Sequence, residues 1–376
     1  MKKVLIATSA LVAAGFIAAG PAAAAEKIKL GLGGFQNTWV GFADQDDTFE
    51  GTRDYGSFDV KTNSEIHFKG STKLDNGLTV GAHVELESDR DSGGAIDHSY
   101  AYISSAQLGT LYAGGTSMAH SRLATQAPSA ANNGQTSGGQ EGPRQWIVNP
   151  GISVPNFVHI DATDTNQVQY ISPSFSGLQV GASYNPNYAN ADQNAPNYDS
   201  ASGDSEAYDF AAKYATSVDG VGITLSASYF VVDGGGMETA GLSGEIANGG
   251  FKQIRTGISL SYAGFTLGGA YMDTNDDGDA NQEGDAYNVG LMYATGPYKI
   301  SANYWHSEAE GARDIGTVAT TGEDKYTFVG LNGSYNMGPG VDLKGTIARV
   351  EYEDETTTAT ANNEGWFAAA GMNLAF

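Results

Sequence analysis

The segment Gly115–Thr165, GTSMAHSRLATQAPSAANNGQTSGGQEGPRQWIVNPGISVPNFVHIDATDT, decides how this chain is read. It is about fifty residues rich in Gly, Ser, Asn, Gln and Pro, and it shows neither a helical nor a strand period. Alternating apolar segments flank it on both sides. An unstructured loop of this length argues against a compact soluble domain. A large β-barrel with a wet interior can accept one, because no backbone N–H or C=O is then shut away from water. The segment is therefore expected to fold into a barrel and narrow it.

The flanking segments support that reading. In Leu78–Glu87, Leu78, Val80, Ala82, Val84 and Leu86 interleave with Thr79, Gly81, His83, Glu85 and Glu87, the two-residue period of a strand with unlike faces. Ile254, Thr256, Ile258, Leu260 and Tyr262 likewise alternate with Gln253, Arg255, Gly257, Ser259 and Ser261. Sixteen such segments follow one another from Lys27 to Phe376. Their connections alternate between short turns, such as Asn76-Gly77, Asp219-Gly220 and Ala263-Gly264, and long Asp/Asn/Gly/Thr-rich loops. An outer-membrane barrel has an even strand number, short periplasmic turns, longer external loops and strands of about ten residues. The predicted fold class is thus all-β, a transmembrane antiparallel barrel of sixteen strands whose third loop folds inward, with the apolar faces toward lipid and the polar faces toward water. Tyr184, Tyr214, Tyr262, Tyr271, Tyr293, Tyr298 and Tyr335 fall at strand ends, where an aromatic girdle belongs.

The N-terminus reads as an export signal. Lys2 and Lys3 precede an apolar run from Val4 to Ala19, and Ala23-Ala24-Ala25 fits a small-residue cleavage site before Glu26. The expected organisation is a signal peptide over residues 1–25 and one barrel over 26–376, with 115–165 as its constricting loop. The formal net charge is −24, which excludes a nucleic-acid partner because that needs clustered Lys and Arg. Cysteine is absent, so no disulfide staples the exported chain. Mean hydropathy is below zero, as the diluted apolar signal of barrel strands allows.

Catalytic patterns are missing. No G-x-S-x-G or phosphate-binding loop occurs, and none of His67, His83, His98, His120, His159 and His306 stands in H-E-x-x-H spacing. The chain is expected to be no enzyme and to need no cofactor. His67 and His83 lie on the polar faces of adjacent strands, where a metal pair competes with a plain solvated-wall role. Asp273-Thr274-Asn275-Asp276-Asp277-Gly278-Asp279 matches the opening of a calcium loop, but Gly284 stands where a bidentate Glu would be needed and strands flank it. Asp273, Asn275, Asp277 and Asp279 could hold Ca²⁺ or Mg²⁺ loosely, or form a solvated acidic loop. Such loops could share divalent ions with lipopolysaccharide phosphates.

Three stretches carry a resemblance: Phe68-Lys69-Gly70 followed by Leu74-Asp75-Asn76-Gly77-Leu78; Leu108 to Gly115; and the last strand, ending in Phe376. Together with the loop pattern they resemble the general diffusion porins of the Gram-negative outer membrane. The resemblance implies a homotrimer set in outer-membrane lipid and lipopolysaccharide, with the third loop as the eyelet and Phe376 as the signal for the barrel assembly machinery. It also implies passive diffusion of small hydrophilic solutes. In the family, loop carboxylates usually face a cationic wall. Here the loop offers Glu141, Asp161 and Asp164 mixed with Arg122 and Arg144. The wall candidates Lys69, Lys73, Lys213 and Arg255 are expected to share the lumen with Glu65, Glu85 and Glu87, giving a weakly polarised eyelet and a mild cation preference. Two other readings stay open: a sugar- or anion-specific channel on the same barrel, which aromatic lumen residues such as Trp305 would favour, and a secreted β-sandwich binding protein with the apolar faces as its core.

Overall fold

A computed structural model of the chain describes residues 27–50, 55–87, 96–131, 142, 145–152, 166–188, 205–234, 251–276, 283–311, 322–355 and 361–376. The strands are β1 (Lys29–Gln45), β2 (Phe58–Lys73), β3 (Thr79–Glu87), β4 (Ile96–Ser105), β5 (Gly109–Gly115), β6 (Asn166–Ile171), β7 (Leu178–Asn185) and β8 (Ser205–Val218). They continue with β9 (Val221–Gly234), β10 (Phe251–Tyr262), β11 (Phe265–Asp276), β12 (Gly284–Thr295), β13 (Tyr298–Gly311), β14 (Gly322–Gly338), β15 (Val341–Glu353) and β16 (Asn363–Ala375). Each pairs antiparallel with its sequence neighbours, and β1 pairs with β16 to close the barrel. Closure leaves no edge strand among the described residues. At the seam, Phe376 N–H donates to Gly34 O at 3.1 Å and Gly34 N–H to Phe376 O at 2.8 Å. Among the described residues no helix is long and apolar enough to cross a membrane.

The connections sort by length onto the two ends. At one end Ser176-Gly177, Asp219-Gly220 and Ala263-Gly264 have both residues at positive φ, the backbone that a tight hairpin between twisted strands requires. The short turn at Asn76-Gly77 is built differently from these three. Only Gly77 has positive φ; Leu74 N–H donates to Leu78 O at 2.7 Å and Asn76 Oδ1 accepts from Leu78 N–H at 3.0 Å. At the other end, several strands run past the apolar alternation: β1 reaches Gln45 and β14 begins at Gly322. Ladder hydrogen bonds continue there without an apolar face to announce them.

The faces divide as expected on the outside. Leu32, Phe42, Val60, Ile254, Ile258, Leu291, Ile347 and Trp366 are exposed and point outward, as do Tyr214, Tyr262, Tyr298 and Tyr335 near the short-turn end. The inside differs from expectation. Ser183, Asp209, Gln253 and Asn288 give β7 to β12 a polar inner face, but Trp39, Trp305, Tyr326, Phe328, Val350, Tyr352 and Phe367 form a buried apolar patch on the inner face of β13 to β16 and β1, beside polar residues such as Ser301, Asn303 and Asn332. The cause is the inward segment, which covers that wall with Ala131, Trp146, Ile147 and Ile152. Apolar inner residues are thereby shielded from the water that a bare lumen would impose.

A β-bulge shapes the wall at the long-loop end of β3 and β4. Val84 pairs with Ser99 and Leu86 with Ile96, so Asp97 and His98 together oppose Glu85. The extra residue re-aims both side chains.

Candidate functional site

The described parts of the segment after β5 cross the barrel interior. The chain leaves β5 through Thr116 and Ser117, forms the single turn α2 (Ala119–Arg122; α1 is Asp47–Glu50), and runs extended to Ala131. It has few large side chains, so its backbone can lie flat on the wall. Inward-facing Ser and Asn residues then serve the backbone groups that no ladder satisfies. Ala119 N–H donates to Ser183 Oγ (2.8 Å), Thr125 N–H to Ser226 Oγ (2.9 Å), Ala127 N–H to Asn288 Oδ1 (3.0 Å) and Ala130 N–H to Ser301 Oγ (2.9 Å). Asn303 Nδ2 donates to Pro128 O at 2.6 Å, and Asn303 Oδ1 accepts from Asn332 Nδ2 at 2.8 Å. The strap's own partners lie on β7, β9, β12 and β13, with Asn332 of β14 behind Asn303, so the strap is stitched to one strand after another round the wall. Gly257 on β10 lies directly under it: a Cβ there would overlap the Thr125 carbonyl oxygen.

The start of the strap is pinned by a buried pair. Asp209 Oδ2, on β8, accepts from His120 N–H at 2.6 Å and faces His120 Nδ1 at 2.7 Å. His120 is 1% exposed and Asp209 0%, and the imidazole stacks on Phe230 at 4.6 Å. The far part, Gln145–Ile152, is held by packing and by one polar clip. Trp146 stacks on Phe367 at 5.9 Å, Val148 N–H donates to Gln45 Oε1 at 3.1 Å, and Asn363 Nδ2 donates to Val148 O at 2.7 Å.

Next to the apolar wall, beginning at β2, which pairs with β1, β2 to β5 carry the ionisable lining. Glu65, His67 and Lys69 on β2 face Glu87, Glu85 and His83 on β3 in register. His67 Nε2 lies 2.8 Å from Glu65 Oε2, His83 Nε2 3.0 Å from Glu85 Oε1, and His98 Nδ1 3.1 Å from Glu85 Oε2. Tyr100, Tyr102 and Tyr112 line the adjoining wall with centroids 5.7 to 6.5 Å apart. The Arg122 guanidinium lies over Tyr112 at 4.6 Å and Tyr100 at 5.8 Å. Its Nη2 donates to Thr116 Oγ1 and its Nε to Ser117 O, which aims the cation along the tyrosine wall.

The residues singled out from sequence fall unevenly on this geometry. Arg122 and Glu85 stand at the lining just described. Lys69 and Lys73 are exposed on the inner face of β2, and Lys213 is half-buried on β8. Arg255 is 5% exposed and lies behind the strap beside His120, Thr125 and Ser226, so the strap separates it from open water. Glu141, Arg144, Asp161 and Asp164 lie outside the described residues. Asp273 and Asn275 lie on the outward face at the end of β11, where Asn275 Nδ2 donates to Glu283 Oε1 at 3.0 Å; Asp277 and Asp279 lie outside the described residues. Phe376 closes the seam. Trp305 is 3% exposed and packs edge-on against Tyr326 at 5.0 Å, so it offers no open aromatic surface.

Sequence reading missed the His120–Asp209 pin, the tyrosine wall and the convergence of His98 with His67 and His83. The inward parity of Tyr100, Tyr102 and Tyr112 was available as a signal. That of Asp97 and His98 was not, because the bulge shifts it.

A family profile described as Gram-negative porin matches residues 7–355. Among solved structures, the anion-selective porin of Comamonas acidovorans superposes with TM-score 0.59 at 17% identity, over 93% of this chain and 100% of that one. A loop L8 deletion variant of OmpT, an outer membrane protein of Vibrio cholerae, gives 0.61 at 14% identity over the same shares. A variant of the Rh. blastica porin gives 0.58 at 18%, again over 93% and 100%. No curated protein matches the chain.

Proposed function

The chain belongs to the Gram-negative porin family, and on that premise we propose that it lets small hydrophilic solutes and ions diffuse passively through the outer membrane with a mild preference for cations. Membership of that family makes it an outer-membrane channel rather than an enzyme. The observation that supports the finer reading is the strap hydrogen-bonded round the inner wall of a closed barrel whose exposed apolar residues point outward. A solute must pass between this strap and the ionisable lining of β2 to β5. Glu65, Glu85, Glu87 and Asp97 there face Lys69 and Arg122, so carboxylates exceed fixed cations, which raises the local cation concentration. The neighbour from Comamonas acidovorans is anion-selective, but a likeness at 17% identity carries the fold alone. Selectivity in this chain depends on its own lining charges. The reversal potential of single channels in a salt gradient tests it: a sign favouring cations is expected, and a clear anion preference refutes it.

The same reading takes residues 1–25 as a cleaved signal, 26–376 as one barrel and 115–165 as its constricting loop. It has three copies associating in lipopolysaccharide-bearing membrane, with Phe376 recognised during barrel assembly. The outward Leu30, Leu32 and Phe58 of β1 and β2, at 70%, 72% and 56% exposure, suit a subunit contact as well as lipid. Loose divalent-ion binding at Asp273, Asn275, Asp277 and Asp279 belongs to the same outward, lipopolysaccharide-facing role. A substrate-specific channel is the second reading, favoured by the Tyr100, Tyr102 and Tyr112 wall with Arg122. It predicts conductance that saturates with a sugar or an organic anion.

A further inference from the structure

The lining of β2 to β4 contains more than scattered charge. We propose that His67 Nε2, His83 Nε2 and Glu85 Oε1 form a binding site for a divalent transition-metal ion of the zinc class on the inner wall of the channel. One ligand atom from each of the three residues lies within 4.8 Å of the other two. Metal–ligand bonds of about 2.0–2.1 Å in a tetrahedral site place ligand atoms roughly 3.3 Å apart. The His83–Glu85 separation of 3.0 Å and the His67–Glu85 separation of 3.9 Å lie on either side of that spacing, so side-chain rotations of a few tenths of an ångström bring them to it. The backbone needs no movement, because His67 and Glu85 are directly paired across β2 and β3 and His83 sits two residues before Glu85 on the same face.

The surroundings hold two of the three ligands, His83 and Glu85, by their other atom. His83 Nδ1 is 2.7 Å from Tyr100 Oη. With Nε2 on the metal, Nδ1 carries the proton and donates it to that oxygen, which is how ligating imidazoles are usually oriented. Glu85 Oε2 is occupied by His98 Nδ1 at 3.1 Å, leaving Oε1 for the metal. The bulge that turns His98 inward therefore supports the site. Uptake exchanges the His67–Glu65 hydrogen bond of 2.8 Å for a metal bond. Two imidazoles and one carboxylate favour zinc, copper or nickel over magnesium and calcium, which prefer oxygen alone. Three protein ligands leave a fourth position for water on the open side. A bound dication would turn a local negative charge positive, narrow the passage beside Arg122 and weaken the cation preference.

The test uses purified full-length protein in detergent and Zn²⁺ as the probe. Equilibrium dialysis in millimolar Mg²⁺ is expected to show one Zn²⁺ per chain lost in the His67→Ala/His83→Ala double variant. Glu85→Gln should abolish it too, and Tyr100→Phe should weaken it about 10–100-fold. His306→Ala, on the outward face of β13, should leave it unchanged. In bilayers, Zn²⁺ is expected to lower the wild-type current saturably and move the reversal potential toward anions, but not in the double variant. Circular dichroism of each variant checks that the barrel is intact. Absence of the Zn²⁺ stoichiometry, its survival in the double variant, or displacement by equimolar Mg²⁺ would each overturn the proposal. Because binding is read without conduction, the result is separate from the channel reading itself.

Discussion

Replacing Asp209 by Ala should release the strap at its beginning while leaving the barrel wall whole. The carboxylate oxygen Oδ2 serves both His120 N–H at 2.6 Å and His120 Nδ1 at 2.7 Å, and the pair is almost entirely out of contact with water. A hydrogen bond to a charged group contributes about 1.5–3 kcal/mol, and a donor left buried without a partner costs about 1–3 kcal/mol more. Breaking a buried pair by removing one partner typically costs about 3–5 kcal/mol. Taking about 3 kcal/mol, the ratio of docked to undocked strap falls by roughly a hundredfold. β8 keeps its ladder to β7 and β9, since Asp209 pairs through its backbone with Ser183 and Phe230. The expected result in a planar bilayer is a larger and noisier single-channel current, with faster uptake of solutes near the exclusion limit. Asp209→Asn keeps an acceptor for the His120 N–H and should give an intermediate effect. Conductance, noise and size limit all equal to wild type in Asp209→Ala would refute the claim that this pair holds the constriction.

Three further outcomes follow from other anchors. Gly257→Val places a side chain where the Thr125 carbonyl lies; overpacking of this kind costs about 1–3 kcal/mol, so strap displacement should appear as altered conductance with an unchanged circular dichroism spectrum. Trp146→Ala removes the stack on Phe367 and opens the apolar wall, a loss of about 3–5 kcal/mol for a buried Trp, read as easier protease cleavage within 132–165 while the barrel resists. Deleting Phe376 removes both of its bonds to Gly34 at the β1–β16 seam; outer-membrane yield should drop several-fold against wild type by fractionation, and equal yield would show that assembly does not read this residue.

The fold was legible because two signals in the sequence reported independent physical demands. The alternation in Leu78–Glu87 and Ile254–Tyr262 reported which side faces hydrocarbon, and the sorting of turns from loops reported that the two ends of the barrel differ. The site was legible only in part. Arg122 and Glu85 could be placed by parity and by the loop they sit in. The strap's contacts could not, because Asp209, Ser226, Asn288 and Ser301 look like any polar lumen residue until the strap lies on them. The apolar inner wall was hidden for the related reason that Phe328, Val350 and Phe367 sit in strands whose other face is apolar too, so neither face stands out as wet. The bulge at Asp97 and His98 removed a third signal by shifting the period by one residue, and it did so where three histidines meet one glutamate. Local irregularity and functional convergence coincide there because the bulge sets both Asp97 and His98 opposite Glu85, and His98 Nδ1 then holds Glu85 Oε2 while Oε1 is left for a ligand.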